Sequence, residues 1–312
     1  MRADKHKRGK KRRWVKVVGI LFLLMLIGGG AYAYSIYHSL NSAVETMHTP
    51  IDRDMSSKRT KEVTFKDKEP FSVLLLGVDE RENDKGRSDS MIVLTVNPNK
   101  KSVKMISIPR DTLTDIVGHG TRDKINHAYA FGGVEMSMDT VEGLLDIPID
   151  YYVKVNMDGF KDIVDAVGGV TVNNDLNFSS GGYTFKEGQL TLNGKEALAF
   201  SRMRHEDPRG DFGRQLRQRE IIQAVINEGA SVSSLWNFDD IFDALGNNVK
   251  TNLKFEEMVD IQKHYKSASK DIQQIQIKTG SGTKIDGIYY YVIPDEELNE
   301  IQSTLRDQLE LS

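Results

Sequence analysis

The sequence predicts an α/β protein: a single domain with a central mixed β-sheet flanked by helices, preceded by one N-terminal transmembrane helix. Three observations carry that expectation. Continuous apolar runs at 71–77 and 91–96 have the pattern of strands buried on both faces. Strand-like and helix-like segments mix throughout without a strict βαβ repeat, which points to a mixed rather than a parallel sheet. At the N-terminus a basic block runs directly into an apolar stretch.

Residues 1–33 carry nine Lys/Arg and one acid, Asp4, whereas the remainder carries 33 bases and 44 acids. The apolar stretch 17–33 continues through Ile36 and Tyr37. Its seventeen residues exceed the core of a usual signal peptide. Ala31-Tyr32-Ala33 has the form of a cleavage site, but the length favours an uncleaved anchor with its basic end in the cytoplasm. The expected layout is a basic cytoplasmic tail (1–16), a transmembrane anchor (17–37), an extracellular spacer (38–69) and an extracellular folded domain (70–312). That is a single-pass type II protein of the cell membrane.

Within the domain, strand 71–77 is followed by strand 91–96, the turn 97–100 and strand 103–108, the last two strands forming a hairpin. Helix is expected over 125–145, interrupted at Gly132-Gly133. Strand 151–155 comes next, then helix 159–167 stopped by Gly168-Gly169, then strand 170–172. Helices 193–199 and 212–228 flank a Gly/Pro loop. Helix 255–268, strands 272–277 and 289–292, and helix 295–309 after Pro294 complete the domain.

Composition bounds the chemistry. An apolar fraction of 39% and a charged fraction of 28% are those of a globular protein. With no cysteine, thiol catalysis and cysteine metal sites are excluded. The acidic body lacks the broad basic face that nucleic-acid binding needs. There is no Gly-x-Ser-x-Gly elbow, HExxH or Walker loop. His127 is a conceivable base, but the seven histidines are scattered without ligand spacing.

Against this background one segment is unusual. Residues 201–219 (SRMRHEDPRGDFGRQLRQR) hold six arginines and no lysine, in a chain with thirteen arginines and twenty lysines beyond residue 33. The planar guanidinium grips two phosphate oxygens at once, so the run reads as an anion-binding loop and helix start rather than a solvated face. Arg202 and Arg204 share a face only on extended chain, which requires the preceding helix to end near Phe200 if both touch one ligand. Arg214, Arg217 and Gln218 fall at i, i+3 and i+4 near a helix N-terminus, whose free N–H groups favour anions. Asp211 is either the N-cap of that helix or a functional carboxylate.

Further charged clusters stand at strand ends: Gly77-Val78-Asp79-Glu80-Arg81, Arg87-Ser88-Asp89 and Pro109-Arg110-Asp111. Asp79 and Asp89 flank one loop. Two hard carboxylates suit Mg²⁺, although a turn former or cap would also explain Asp89.

These motifs, LLLGVDER, GRSDSM, ISIPRDT, KINHAYAFGG, VDAVGGV and SRMRHEDPRGDFGRQLRQRE, together resemble the LytR-CpsA-Psr family of cell-wall glycopolymer transferases, and most of all its wall teichoic acid ligases. The resemblance covers roughly residues 71–226. It implies transfer of the phosphoglycosyl end of an undecaprenyl-pyrophosphate-linked glycopolymer to the C6 hydroxyl of N-acetylmuramic acid in peptidoglycan, with release of polyprenyl phosphate. Donor, acceptor and membrane are the implied partners, with no nucleic acid. By motif, Asp79 and Asp89 are the implied ligands of Mg²⁺ or Mn²⁺. Arg110, Arg202, Arg204, Arg214 and Gln218 are the implied pyrophosphate-binding set, with Arg81, Arg87, Lys124 and Arg217 as second contributors. Asp79, Asp89, Arg110 and Asp211 are the implied catalytic group, and either Asp89 or Asp211 accepts the hydroxyl proton. The lipid is expected in an apolar groove beneath the helices of residues 125–167. Hydrolysis of the same pyrophosphate would use identical residues, and a non-catalytic envelope regulator is a further alternative.

Overall fold

The computed structural model describes residues 44–53, 55–79, 86–229, 246 and 248–311. The segment 17–37 expected to span the membrane, and Arg81, lie outside the described residues. Among the described residues no helix is long and apolar enough to cross a membrane.

The domain is built on a six-stranded mixed sheet. Strands β1 (Phe71–Val78), β2 (Ser88–Asn97) and β3 (Ser102–Ile108) form an antiparallel meander. β6 (Tyr151–Val155) adds parallel to β1 and β12 (Ile272–Ile275) adds parallel to β3. β11 (Val249–Thr251) closes the β6 edge antiparallel. The apolar runs predicted to be buried on both faces are so buried. Leu74, Leu76 and Val78 face helices α1 (His127–Leu145) and α6 (Asp295–Gln308), while Phe71 and Val73 face the layer containing α5 (Phe255–Tyr265).

Between the strands, β4 (Leu113–Ile116) and β5 (Thr121–Lys124) form a hairpin that leads into α1. Helix α1 breaks at Gly132 and Gly133, as its sequence predicts. Beneath it the space against the sheet is filled by Met138, Val141 and Leu145, all buried.

A smaller lobe follows β6. It contains α2 (Met157–Ala166), strands β7 (Val170–Asn174), β8 (Phe178–Ser180), β9 (Tyr183–Phe185) and β10 (Gly188–Leu192), and α3 (Gly194–Arg202). Helix α2 starts on an Asn156 cap and α3 on a capping box of Asn193 with Glu196, each satisfying otherwise orphaned backbone N–H groups. Helix α4 (Asp211–Gly229) lies between this lobe and the sheet. Its Ile221 and Ala224 pack into the lobe, and its Ile222 and Ile226 pack against the sheet. A helix covered on two sides buries polar positions as well: Gln215, Arg217 and Arg219 are all buried. Finally β13 (Ser281–Ile285) and β14 (Ile288–Val292) form a separate hairpin before α6.

Candidate functional site

The ends of β1, β2 and β3 and the start of α1 enclose a cleft of about 520 Å³. Asp79, Arg87, Asp89, Arg110, Asp111, Lys124 and Asn126 line it. The pleat explains how the acids reach it. Gly77 pairs with Ser90 and Val78 pairs with Ser88, which leaves Asp89 as the extra residue of a β-bulge. A bulge re-aims a side chain, and here the Asp89 carboxylate turns toward Arg110 instead of lying in the pleat. Arg110 Nη1 donates to Asp89 Oδ1 at 2.5 Å. Arg110 Nε lies 3.8 Å from Asp111, and Lys124 Nζ donates to Asp111 at 2.8 Å. Burial opposes the Arg110 charge, but the Asp89 hydrogen bond and the fields of Asp89, Asp111 and Asp211 raise its pKa overall.

The N-terminus of α4 reaches the same place. Arg214 Nη2 lies 2.8 Å from Asp211 Oδ1 and donates to the Asp89 carbonyl at 3.4 Å. Its pKa is lowered, and burial is the first cause; the charges of Asp211 and Asp89 oppose the shift, and those of Arg110 and Arg204 add to it. Arg214 therefore lies within the fields of both Arg110 and Arg204. Arg214 Nε is buried and has no hydrogen-bond partner among the described residues. Such a cluster is satisfied by an anion with several oxygens. Asp211 opens α4, and its carboxylate takes the Arg214 and Gln215 side chains.

Arg202 and Arg204 stand on the turn before α4. Helix α3 runs to Arg202, two residues past the expected end, and breaks at Met203 with extended backbone (φ −59°, ψ 133°). Met203 is buried while Arg202 and Arg204 on either side of it are exposed. Arg202 thus stays on the helix and only the chain from Met203 to Arg204 is extended, so the expected helix end near Phe200 is not met. Gln218 is half-buried on α4.

The shared face expected for Arg214, Arg217 and Gln218 needs correction at Arg217. Its guanidinium is 2% exposed and turns into the lobe, where Nη1 meets Asp207 Oδ2 at 2.6 Å and Nη2 meets the Met203 carbonyl at 2.6 Å. It lies over the Phe178 ring at 5.2 Å. Asp207 also takes Arg209, and occupies the space where a side chain on residue 213 would stand, so only glycine fits there. A 100° step per residue makes i and i+3 neighbours, but the covering lobe captures one of them. His127 pairs with Asp123 at 2.6 Å.

Asp111 and Asn126 carry more of the site than their sequence neighbourhoods indicated. Asp111 lies beside Arg110 in Pro-Arg-Asp-Thr, and its role is visible only in the fold, where it couples Arg110 to Lys124. Asn126 lines the cleft with a buried Oδ1 that has no hydrogen-bond partner among the described residues. For a divalent cation the fit is good. Asp79, Asp89 and the Asn126 amide are hard oxygen donors around one cleft. Among the described residues no group of three or more His, Cys, Asp or Glu forms a closed metal cage. Mg²⁺ commonly takes one or two carboxylates and completes its shell with water and phosphate oxygens.

Comparison with known proteins places this geometry. The LytR_cpsA_psr family model matches residues 34–307. The polyisoprenyl-teichoic acid–peptidoglycan teichoic acid transferase TagU of Bacillus subtilis (strain 168) is 54% identical over 304 residues, covering 97% of this chain and 98% of its own. The crystal structure of B. subtilis TagU superposes with a TM-score of 0.64 at 54% identity, covering 78% of this chain and 99% of that one. A structure of TagT bound to LI-WTA superposes with a TM-score of 0.72 at 35% identity, covering 85% of this chain and 100% of that one.

Proposed function

This chain belongs to the LytR-CpsA-Psr family, and we propose that it transfers a teichoic acid-type glycopolymer from a polyprenyl pyrophosphate to peptidoglycan. The finer reading is that the lipid is undecaprenyl and that the acceptor is the C6 hydroxyl of N-acetylmuramic acid. The observation that carries the proposal is the crowding of Arg110, Arg204 and Arg214 beside the cleft lined by Asp79 and Asp89. Guanidiniums gathered beside paired carboxylates suit a pyrophosphate held with a cation. The transferase names of relatives at 54% identity over nearly the whole chain support the same reading.

The reaction breaks one P–O bond and forms another. The acceptor hydroxyl oxygen attacks the phosphorus next to the glycopolymer, the bridging P–O bond breaks, and polyprenyl phosphate leaves with that electron pair. Charge grows on the non-bridging and leaving oxygens. Arg110, Arg202, Arg204, Arg214 and Gln218 bind and orient those oxygens, and preorganised donors of this kind supply a large share of such catalysis. Asp79 and Asp89 would hold Mg²⁺, which when bound neutralises charge on the phosphate oxygens. Asp89 lines the cleft but is held by Arg110, and the Asp211 carboxylate is tied by Arg214 and Gln215, so both are candidates to take the hydroxyl proton. Arg87 and Lys124 line the cleft and add positive field, while Arg217 acts through Asp207 by holding the α4 start in place. The anchor at 17–37 would keep the domain outside the cell at the surface where a lipid-linked donor resides.

The test is to incubate the full-length protein with lipid-linked glycopolymer, Mg²⁺ and peptidoglycan oligomers. Coupled product is expected. Release of free polymer with no coupled product would replace transfer by hydrolysis. A reporter fused after Ser312 is expected outside the cell.

A further inference from the structure

Apart from Met55, the exposed large hydrophobic residues identified among the described residues are not scattered. Ile285, Ile288 and Tyr289 lie on the β13–β14 hairpin, Phe212 opens α4, and Val117 and Phe131 flank the β4–β5 hairpin. The β13–β14 hairpin, the start of α4 and the Lys124 end of the β4–β5 hairpin meet at one wall of the cleft, whereas Val117 packs beside Thr140 and Gly143 of α1. The Tyr291 amide donates to the Asp111 carbonyl at 2.8 Å, and Thr112 bridges to Tyr291. The Tyr290 ring lies 5.9 Å from Lys124 Nζ, and its hydroxyl reaches Asp123 at 3.4 Å. Phe212 packs edge-on against Tyr291 at 5.5 Å. Asp111 and Lys124 line the cleft, so β14 stands directly behind its lining.

The hairpin is not a core element. Every residue of β13 is exposed, and on β14 only Tyr290 and Tyr291 are buried. A free-standing pair of strands is marginal in water, and its apolar outer positions cost solubility unless they serve a contact. The Tyr289 ring is also held in a fixed attitude. It lies across β13 at Gly282, where a Cβ would come within 2.5 Å of the ring. With one side laid on glycine backbone, the 46%-exposed ring presents its other side to solvent.

We propose that the β13–β14 hairpin is the platform on which the acceptor glycan strand of peptidoglycan lies as its hydroxyl enters the cleft. The occupant rests on the transferase reading above; the platform itself rests on the geometry. A flat aromatic ring matches the C–H face of a sugar ring, and nearby carboxylates and hydroxyls hydrogen-bond sugar hydroxyls. Asp286 at the hairpin tip and Asp123 beneath Tyr290 are acidic, which disfavours an anionic lipid surface. The residues that would hold the pyrophosphate line the cleft or stand at the start of α4, while β14 lies behind Asp111 and Lys124, so the outer face of the hairpin is left for the acceptor.

The experiment compares full-length wild type with Tyr289→Ala, Gly282→Ala and Tyr289→Phe. Direct binding of short peptidoglycan glycan oligomers is measured without donor, and steady-state KM is measured for each substrate. Tyr289→Ala is expected to weaken oligomer binding and raise the acceptor KM about three- to tenfold. Gly282→Ala is expected to do the same by displacing the ring, and Tyr289→Phe to keep near-normal values. The donor KM and kcat at saturating acceptor stay unchanged, and thermal unfolding confirms folding. A donor KM that moves instead would put the glycopolymer on the hairpin and overturn the proposal, as would unchanged acceptor binding. Tyr289→Trp in vesicles of brominated lipid shows no added quenching over wild type; quenching there would give this surface to the membrane. Oligomer binding that depends on Tyr289, in a protein that couples nothing, would sink the transferase reading and leave the platform standing.

Discussion

The arginines of residues 202–219 form two groups that look alike in the sequence. Arg204 and Arg214 stand with Arg110 beside the cleft, where Arg110 pairs with Asp89 and Arg214 with Asp211, and burial makes Arg214 less basic than usual. Arg209 and Arg217 converge on Asp207 inside the lobe, where every charge has an opposite neighbour. The first group meets its acids at an open cleft, and the second closes on an acid with no exposure. Ion pairs open to a cleft can be exchanged for a ligand; a fully buried pair holds a helix in place.

The difference can be broken most sharply at Arg217. Arg217→Ala strips the buried Asp207 of its one buried cation, leaving only the partly exposed Arg209, and is expected to cost about 3–5 kcal/mol in urea unfolding. Arg214→Ala is expected to reduce transfer by about 10²–10³-fold while changing stability by less than ~1 kcal/mol. If Arg214→Ala proved the less stable of the two, the division would fail. Asp79→Asn and Asp89→Asn are expected to act like Arg214→Ala. Each should also abolish the rise in unfolding temperature that millimolar Mg²⁺ gives the wild type, a readout independent of turnover.

Two acids near Arg217 give opposite pH dependences. Burial, with the Asp175 charge added, pushes the Glu220 carboxyl up to about 7. The folded protein therefore holds that proton where the unfolded chain, near ~4.3, has lost it. This contribution to stability declines as pH rises from ~4.3 to about 7 and is level above. Glu220→Gln is expected to remove that slope and to stabilise the protein at pH 8 by about 1–2 kcal/mol in urea titrations. Asp207 has the opposite sign. Burial opposes its charge, but hydrogen bonds from Arg209 and Arg217 hold it well below the usual carboxylate range. Its contribution is full above ~3.9 and is lost only as strong acid protonates the folded state. The smallest effect is expected at Arg209, whose side chain is 36% exposed: Arg209→Ala should cost no more than ~1 kcal/mol.

Much of this arrangement was legible before the fold. The runs at 71–77 and 91–96 announced both-sided burial, and Leu74 and Val73 face opposite layers as such a strand requires. Gly132-Gly133 marked the break in α1. The two-residue spacing of Arg202 and Arg204 called for a helix end near Phe200, whereas extended chain begins only at Met203. Short strands escaped notice, among them β4, β5, β8 and β13, because a few residues without strong apolar alternation carry no period. The bulge at Asp89 escaped as well, since only pairing with β1 reveals an extra residue.

By itself the sequence determined the element types, the clustering of arginine near paired acids, and the family motifs that tie them together, because propensity, periodicity and spacing are local. Only the tertiary structure decided which charges are spent. Arg214 and Arg217 differ by three residues along one helix, yet one reaches Asp211 and the Asp89 carbonyl at the cleft and the other turns into the lobe onto Asp207. Arginine presents the same fork everywhere, and what stands opposite it is set by the packing of β2, β3 and the lobe around α4.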